Sequence, residues 1–82
     1  MERTVINSRL TEIFRKIFNN ESLILRDDLT ANHVDNWDSL THMLLISEIE
    51  SSFDVKFKLR ELNRMKNVGD MIDLLMEKLS NH

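Results

Sequence analysis

The stretch "DNWDSLTHMLLISEIESSF", residues 35–53, decides the fold of this 82-residue chain. A polar run around the single tryptophan gives way to a segment in which apolar side chains recur every three or four residues, the spacing of an amphipathic helix. We predict that Asp38 is the N-cap of this helix and that its carboxylate accepts from the backbone N–H of Leu40 or Thr41. Ser39 then becomes the first helical residue, and its hydroxyl lies at the helix start.

This central helix carries two apolar stripes when successive residues are placed about 100° apart. The stripe that we expect to face the core consists of Leu45, Ile46, Ile49 and Phe53. The second stripe lies on the opposite side, near Ser39, and consists of Leu40, Met43 and Leu44. One stripe suffices to hold a helix against a core. The second therefore either meets a partner molecule or is covered by residues of the preceding loop.

The flanking sequence predicts three further helices, so we expect an all-α four-helix bundle with three longer helices and one short third helix. The first helix runs from a cap at Thr4 to about Phe18, and the last is capped by Asn67. Residues 59–66 can form one or two turns, which are too short to be stable without tertiary packing. The core should join Leu45, Ile49 and Phe53 to Ile13, Phe14, Val68, Ile72 and Leu75.

The connection between the first two helices, residues 19–37, is long for so small a domain. Apolar residues are spaced along it as anchors, and we expect them to pin the connection over the bundle as a packed loop. These residues are Leu23, Ile24, Leu25, Leu29, Val34 and Trp37. A chain of this length has room for one modest core, so we predict a single domain, residues 1–82.

The composition argues against several classes of function. The chain has no cysteine, so neither a disulfide framework nor a thiolate metal site is available. The longest apolar run, residues 43–46, is far short of a membrane span, and the N-terminus lacks the order of a signal peptide. We therefore expect a soluble, cytoplasmic monomer. The net charge of −3 argues against nucleic acid as a partner, and one small domain leaves no room for a cleft between two lobes.

Taken alone, the residues around Ser39 leave its role open. A phosphate ester there would lie in a favourable field, because the amides and dipole at a helix N-terminus favour negative charge. An Asp-Ser pair before a helix is nevertheless more often a simple cap. Catalysis is no better supported, because no third group is evident to orient His42 and no oxyanion site is recognisable. We therefore predict a packed or surface role for His42 and no catalytic residue.

Two segments resemble the acyl carrier protein family, "WDSLTHMLLISEIESSFDVKF" (37–57) and "LNRMKNVGDMIDLL" (62–75). The hallmark of that family is Asp-Ser-Leu at the start of the second helix of a four-helix bundle. Here the motif is Asp38-Ser39-Leu40. The resemblance covers nearly the whole chain, including the first helix, the long loop and the phenylalanine that closes the second helix.

The resemblance implies that a phosphopantetheinyl transferase attaches 4′-phosphopantetheine from coenzyme A to Ser39. The protein would then be a carrier and not an enzyme, holding an acyl group as a thioester on the thiol of the arm. Asp38 and Leu40 would flank the attachment site. The family also implies that the second helix meets the transferase and the acyl-loading and acyl-transferring enzymes. Carried over by position, the residues of that partner surface are Asp38, Leu40, Met43, Ser47 and Glu50.

The segment 56–66 departs from many carriers of fatty-acid synthesis, in which the third helix is acidic. It carries a net charge of +4, from Lys56, Lys58, Arg60, Arg64 and Lys66 against Glu61. Such a charge run can also be a solvated face. The "WDSL" form resembles stand-alone carriers of specialised pathways, as in lipid or polyketide biosynthesis. Peptidyl and D-alanyl carriers share the fold and the serine, so an aminoacyl cargo stays open, as does an unmodified helical interaction module that docks partners through its second stripe.

Overall fold

A computed structural model describes residues 2–80, and within them it contains four α-helices and no strand. The helices are α1 (Arg3–Ile17), α2 (Ser39–Phe53), α3 (Leu59–Arg64) and α4 (Val68–Ser80), and a short 3₁₀ turn (Ala31–His33) lies in the long loop. The all-α bundle with three longer helices and one short third helix is thus confirmed. No helix in this part of the chain has both the length and the apolar character needed to cross a bilayer.

A side-chain N-cap is present at the start of α4 but not at the start of α1. Asn67 Oδ1 accepts a hydrogen bond of 2.8 Å from the backbone N–H of Asp70, as expected of the cap of α4. The predicted cap at Thr4 is wrong, because α1 begins at Arg3, two residues before the start that a cap at Thr4 implies, and its N-cap residue Glu2 forms no side-chain cap bond. The guanidinium of Arg3 lies 2.8 Å from the carboxylates of both Asp27 and Asp73, and these ion pairs hold the first turn of α1 against the loop and α4.

The core forms where the apolar stripes of α1, α2 and α4 meet. The predicted core residues are all buried in one cluster: Leu45, Ile49, Phe53, Ile13, Phe14, Val68, Ile72 and Leu75. Ile46 is buried as well. The second stripe of α2 is open to solvent, with Leu40, Met43 and Leu44 exposed by 72%, 57% and 54%. The loop residues therefore do not cover it.

The long loop is pinned over the bundle, as predicted, by most of its apolar residues. Leu25, Leu29 and Val34 are buried in the core cluster, and Leu23 and Trp37 pack against it. The prediction for Ile24 is wrong, because its side chain is 71% exposed. Its neighbours on both sides turn inward, and the side chain between them is left facing solvent.

The loop is also tied to the start of α4 through its backbone. The N–H groups of Val68 and Gly69 donate to the carbonyl groups of Leu29 and Asp27, at 3.0 and 2.9 Å. A Cβ atom on Gly69 would lie only 3.1 Å from both Cβ and O of Asp27, so the single glycine of the chain permits this close approach. The path of the loop toward α2 is fixed by these contacts.

Candidate functional site

Trp37 anchors the end of the long loop immediately before α2. Its indole meets the ring of Phe14 edge-on, with centroids 5.3 Å apart at 84°, and lies 5.7 Å from the ring of Phe18. Both phenylalanines belong to the buried core. Offset and edge-to-face aromatic pairs contribute roughly 0.5–1.5 kcal/mol each beyond the area that they bury. The start of α2 is therefore attached firmly to the bundle.

The start of α2 is closed by a reciprocal cap. Asp38 Oδ1 accepts from the backbone N–H of Thr41 at 3.0 Å, and the backbone N–H of Asp38 donates to Thr41 Oγ1 at 2.8 Å. The hydrogen bond from the Thr41 backbone is the main reason why the pKa of Asp38 is lowered, so this carboxylate is charged at neutral pH. Asn36 takes a left-handed conformation (φ 69°) in the turn before the cap. The prediction that Asp38 caps α2 is confirmed, with Thr41 as the donor.

Ser39 is the first residue of α2 and is exposed to solvent. Among residues 2–80, no hydrogen-bond partner of its hydroxyl is found. The hydroxyl therefore stands free at the positive end of a fifteen-residue helix. Addition of a group there would displace no internal contact of the fold.

A groove of about 500 Å³ lies beside Ser39. Its lining combines the loop, the start of α2 and the α3–α4 junction: Ala31, Trp37, Asp38, Ser39, His42, Met43, Met65 and Lys66. Sequence reasoning did not assign Met65 or Lys66 to the site. Their place in it depends on how α3 packs, and residues 59–64 alone carry too little periodicity to reveal that packing.

His42 is held by Trp37 in a way that argues against catalysis. The indole Nε1–H donates to His42 Nδ1 at 3.0 Å, and the two rings stack with centroids 6.1 Å apart at 17°. Burial lowers the pKa of His42. Because Nδ1 accepts the indole proton, we assign the proton of the neutral ring to Nε2. In a catalytic triad the orienting group accepts from Nδ1–H and leaves Nε2 free to take a proton, which is the opposite arrangement. Trp37 is therefore not the third group of a triad, and His42 is packed against the indole ring.

We expect acid to break this Trp37–His42 bond. Since the folded pKa of His42 lies below its ordinary value of about 6.5, the unfolded chain binds more protons between the two values. The stability contributed by neutral His42 is therefore fully present above about pH 6.5 and is lost as the pH falls below it. Emission from Trp37, the only tryptophan, should titrate with a midpoint below 6.5, measured by fluorescence across about pH 4–8.

His42→Gln is the matched control for this titration. It keeps a polar side chain of similar reach but removes the titrating ring, so its fluorescence should be flat where the parent protein changes. A parent midpoint at or above about 6.5, or the same transition in His42→Gln, would show that another group governs Trp37.

The five residues assigned to the partner surface differ in their exposure to solvent and in their hydrogen bonding. Asp38, Leu40, Met43 and Ser47 are exposed. Glu50 is only half-exposed, and its Oε2 accepts from the backbone N–H of Phe57 at 2.8 Å. Glu50 therefore secures the chain that follows α2. Its role in partner binding stays a prediction, and a substitution there would also disturb the loop.

The fold and the site together define a small helical carrier domain, with a long first loop and an exposed serine at the start of the second helix. The solution NMR structure of holo acyl carrier protein from Geobacter metallireducens is similar to this chain, with 46% identity and a TM-score of 0.86, over 90% of this chain and 85% of that one. No family model matches the chain, and a search of curated proteins finds no match. At this identity and coverage, the chain belongs to the acyl carrier protein family. Members of that family are carriers and not enzymes, which confirms the predicted carrier role.

Proposed function

We propose that Ser39 is the attachment site of 4′-phosphopantetheine and that the chain carries acyl groups as thioesters on this arm. The observation that carries the proposal is the free, exposed hydroxyl of Ser39 at the capped start of α2. The similarity to a carrier protein in its holo form supports it. The prosthetic group would come from coenzyme A through a phosphopantetheinyl transferase.

The residues around Ser39 fit such a group in three respects. The N-terminus of α2 favours the negative charge of a phosphodiester, and Lys66 in the adjoining groove adds a cation. The apolar side chains of Trp37, Met43 and Met65 line the same groove and suit an arm with few charges. The attached group supplies a thiol, and since the chain has no cysteine, that thiol would be the only one present.

The protein's own residues keep the attachment point in place while the cargo changes. The cap between Asp38 and Thr41 fixes the first turn of α2, and Trp37 ties that turn to the core through Phe14. The backbone of Ser39 is thereby held in a constant position, and its hydroxyl, unpaired among the described residues, projects from it into solvent, where the transferase can reach it. Because the arm would attach outside the core, loading and unloading require no rearrangement of the bundle.

The finer assignment is that this carrier serves a specialised biosynthetic pathway, in lipid or polyketide biosynthesis. It rests on the "WDSL" form of the motif and on the basic segment 56–66. Acyl-loading and acyl-transferring enzymes would meet α2 through Asp38, Leu40, Met43 and Ser47. An aminoacyl cargo, as in peptidyl and D-alanyl carriers, stays open. The single domain 1–82, the monomeric state and the cytoplasmic location stay predictions.

The test of the proposal is the mass of the intact protein. Incubation with coenzyme A, Mg²⁺ and a broad-specificity phosphopantetheinyl transferase should add one phosphopantetheinyl group per chain. An unmodified interaction module would gain no mass under the same conditions. Loading of the product with fatty acyl or aminoacyl groups by enzymes of known specificity would then separate the two kinds of cargo.

A further inference from the structure

Three acidic residues in or near segment 56–66 accept hydrogen bonds from its backbone. Glu50 accepts from the N–H of Phe57 at 2.8 Å, Glu61 from that of Lys58 at 2.7 Å and Asp70 from that of Lys66 at 3.1 Å. These three carboxylates therefore hold the backbone of the segment in shape, and none of them forms an ion pair with a lysine or arginine of the segment.

Glu61, the only acid within the segment, is turned toward α4. Its carboxylate lies 2.8 Å from Lys78 Nζ, and both side chains are largely buried. The hydrogen bond from the Lys58 backbone, followed by the contact with Lys78, lowers the pKa of Glu61. The carboxylate is therefore charged at neutral pH and paired with Lys78, and with its charge counted the segment keeps a net charge of +4.

Among the described residues, the lysine and arginine side chains of the segment lack the internal partners that the other lysine and arginine side chains have. Within residues 2–80, each other lysine or arginine has an internal partner: Arg3, Lys16, Arg26 and Lys78 form ion pairs, Arg9 lies over the Phe53 ring, and Arg15 donates to the Leu23 carbonyl. Lys56, Lys58, Arg60, Arg64 and Lys66 are all exposed, and none has an acid within 4.0 Å in this part of the chain. Arg64 borders a surface pocket that also contains Asp70, Asp73 and Glu77, and Lys56 borders one that contains Glu50 and Asp54. Lys58, Arg60 and Lys66 are therefore the more available.

The basic segment adjoins the second stripe of α2. Met43 of that stripe lines the groove beside Ser39 together with Met65 and Lys66 of the segment. Leu59, within the segment itself, is 75% exposed. Apolar side chains bordered by unpaired cations, next to the attachment point of the cargo, are suited to a partner that presents an apolar socket with an acidic rim.

We propose that segment 56–66 and the second stripe form the docking surface for an acyl-loading enzyme whose contact surface is acidic. The proposal rests on the proposed carrier function and adds the chemistry of the partner. The cations attract and orient the acidic enzyme, and Met43 and Leu59 enter its socket once the two proteins touch. Lys66 lines the groove beside Ser39 that the transferase must reach, whereas Lys58 and Arg60 lie outside that groove.

The experiment uses the full-length protein labelled with ¹⁵N and two synthetic amphipathic peptides as probes. One peptide has a leucine face rimmed by glutamates, and the other has lysines in place of the glutamates. We expect only the acidic peptide to bind. The amide shifts that it causes should be concentrated at Met43, Leu59 and Lys66, and its affinity should fall as the salt concentration is raised. No binding of the acidic peptide, or equal binding of both peptides, would overturn the proposal.

Charge-reversal variants distinguish binding at this surface from a general effect of the protein's net charge. Lys58→Glu combined with Arg60→Glu should weaken binding of the acidic peptide by about tenfold or more. Lys16→Glu combined with Arg26→Glu changes the net charge equally but lies outside the segment, so it should change the affinity by less than about twofold. An equal loss in both double variants would mean that only net charge matters and would contradict a docking surface.

Two further measurements separate the remaining explanations. Vesicles containing phosphatidylglycerol should bind the protein more weakly than the acidic peptide does. The opposite order would indicate that the partner of this surface is an anionic membrane and would overturn the proposal of an enzyme. The Lys58→Glu, Arg60→Glu variant should still be phosphopantetheinylated at the parent rate, and a loss there would assign the segment to the transferase. If the parent protein is never modified yet binds the peptide as expected, the carrier function fails while the acidic-partner surface stands.

Discussion

Ser39→Ala should abolish phosphopantetheinylation completely while leaving the bundle folded. The side chain is exposed, and its hydroxyl has no internal partner among the described residues, so its removal should change the free energy of unfolding by no more than about 0.5 kcal/mol. The substitution nevertheless removes the oxygen to which the group would be joined. Intact mass after incubation with coenzyme A and the transferase measures the first effect, and denaturant unfolding measures the second.

Ser47→Ala is the matched control for this experiment, because Ser47 is another exposed serine of α2. It should gain the same mass as the parent protein and unfold at the same denaturant concentration. Modification that persists in Ser39→Ala would assign the attachment to a different side chain. Loss of modification in both variants would instead indicate that the transferase depends on the surface of α2 and not on one hydroxyl.

Local patterns in the sequence were sufficient for the features that depend on near neighbours. The cap of α2 joins Asp38 to a backbone three residues away, and the cap of α4 joins Asn67 to Asp70 in the same way. The separation of the two stripes of α2 follows from helix geometry alone. These features were predicted correctly because every group that decides them lies within one or two helical turns.

Features that depend on distant partners were missed. The start of α1 is held by ion pairs from Arg3 to residues 24 and 70 positions away, whereas the sequence suggested only a threonine cap. The position of Ile24 depends on which side of the loop faces the core, and three consecutive apolar residues do not specify that side. Glu50 was assigned to the partner surface, and its bond to the N–H of Phe57 was missed because nothing in its helix indicates that the following loop approaches it.

The features of the candidate site also fall into those that the sequence predicts and those that depend on distant packing. Ser39 and its cap could be located from the motif and its place at a helix start. The groove could not, because Met65 and Lys66 reach it only through the packing of a helix of six residues. The Trp37–His42 bond spans a loop residue and a helix residue, and five positions of separation do not by themselves indicate contact. The attachment itself rests on the family and on the exposed hydroxyl.

Phe53→Ala should destabilise the protein by about 3–5 kcal/mol without altering the chemistry at Ser39. The ring is only 5% exposed, lies in the core cluster and carries the Arg9 guanidinium 5.7 Å above its centre. Replacement by alanine removes this packing and leaves a cavity that the surrounding structure closes only in part. A domain of this length is stable by about 4–12 kcal/mol, so the loss is a large part of the total.

Because Phe53 lies far from Ser39, this variant tests whether core packing can be weakened without affecting modification at Ser39. Phe53 ends the helix that Ser39 begins, so roughly 21 Å separate them at 1.5 Å per residue. Molecules that remain folded at low temperature should therefore still accept phosphopantetheine, although denaturant unfolding shows the loss of stability. Ile24→Ala removes a large apolar side chain that is exposed, and it should cost less than about 0.5 kcal/mol. A cost below about 1 kcal/mol for Phe53→Ala, or one above about 3 kcal/mol for Ile24→Ala, would mean that the core faces are assigned wrongly, because a large apolar side chain stabilises the fold mainly when it is buried.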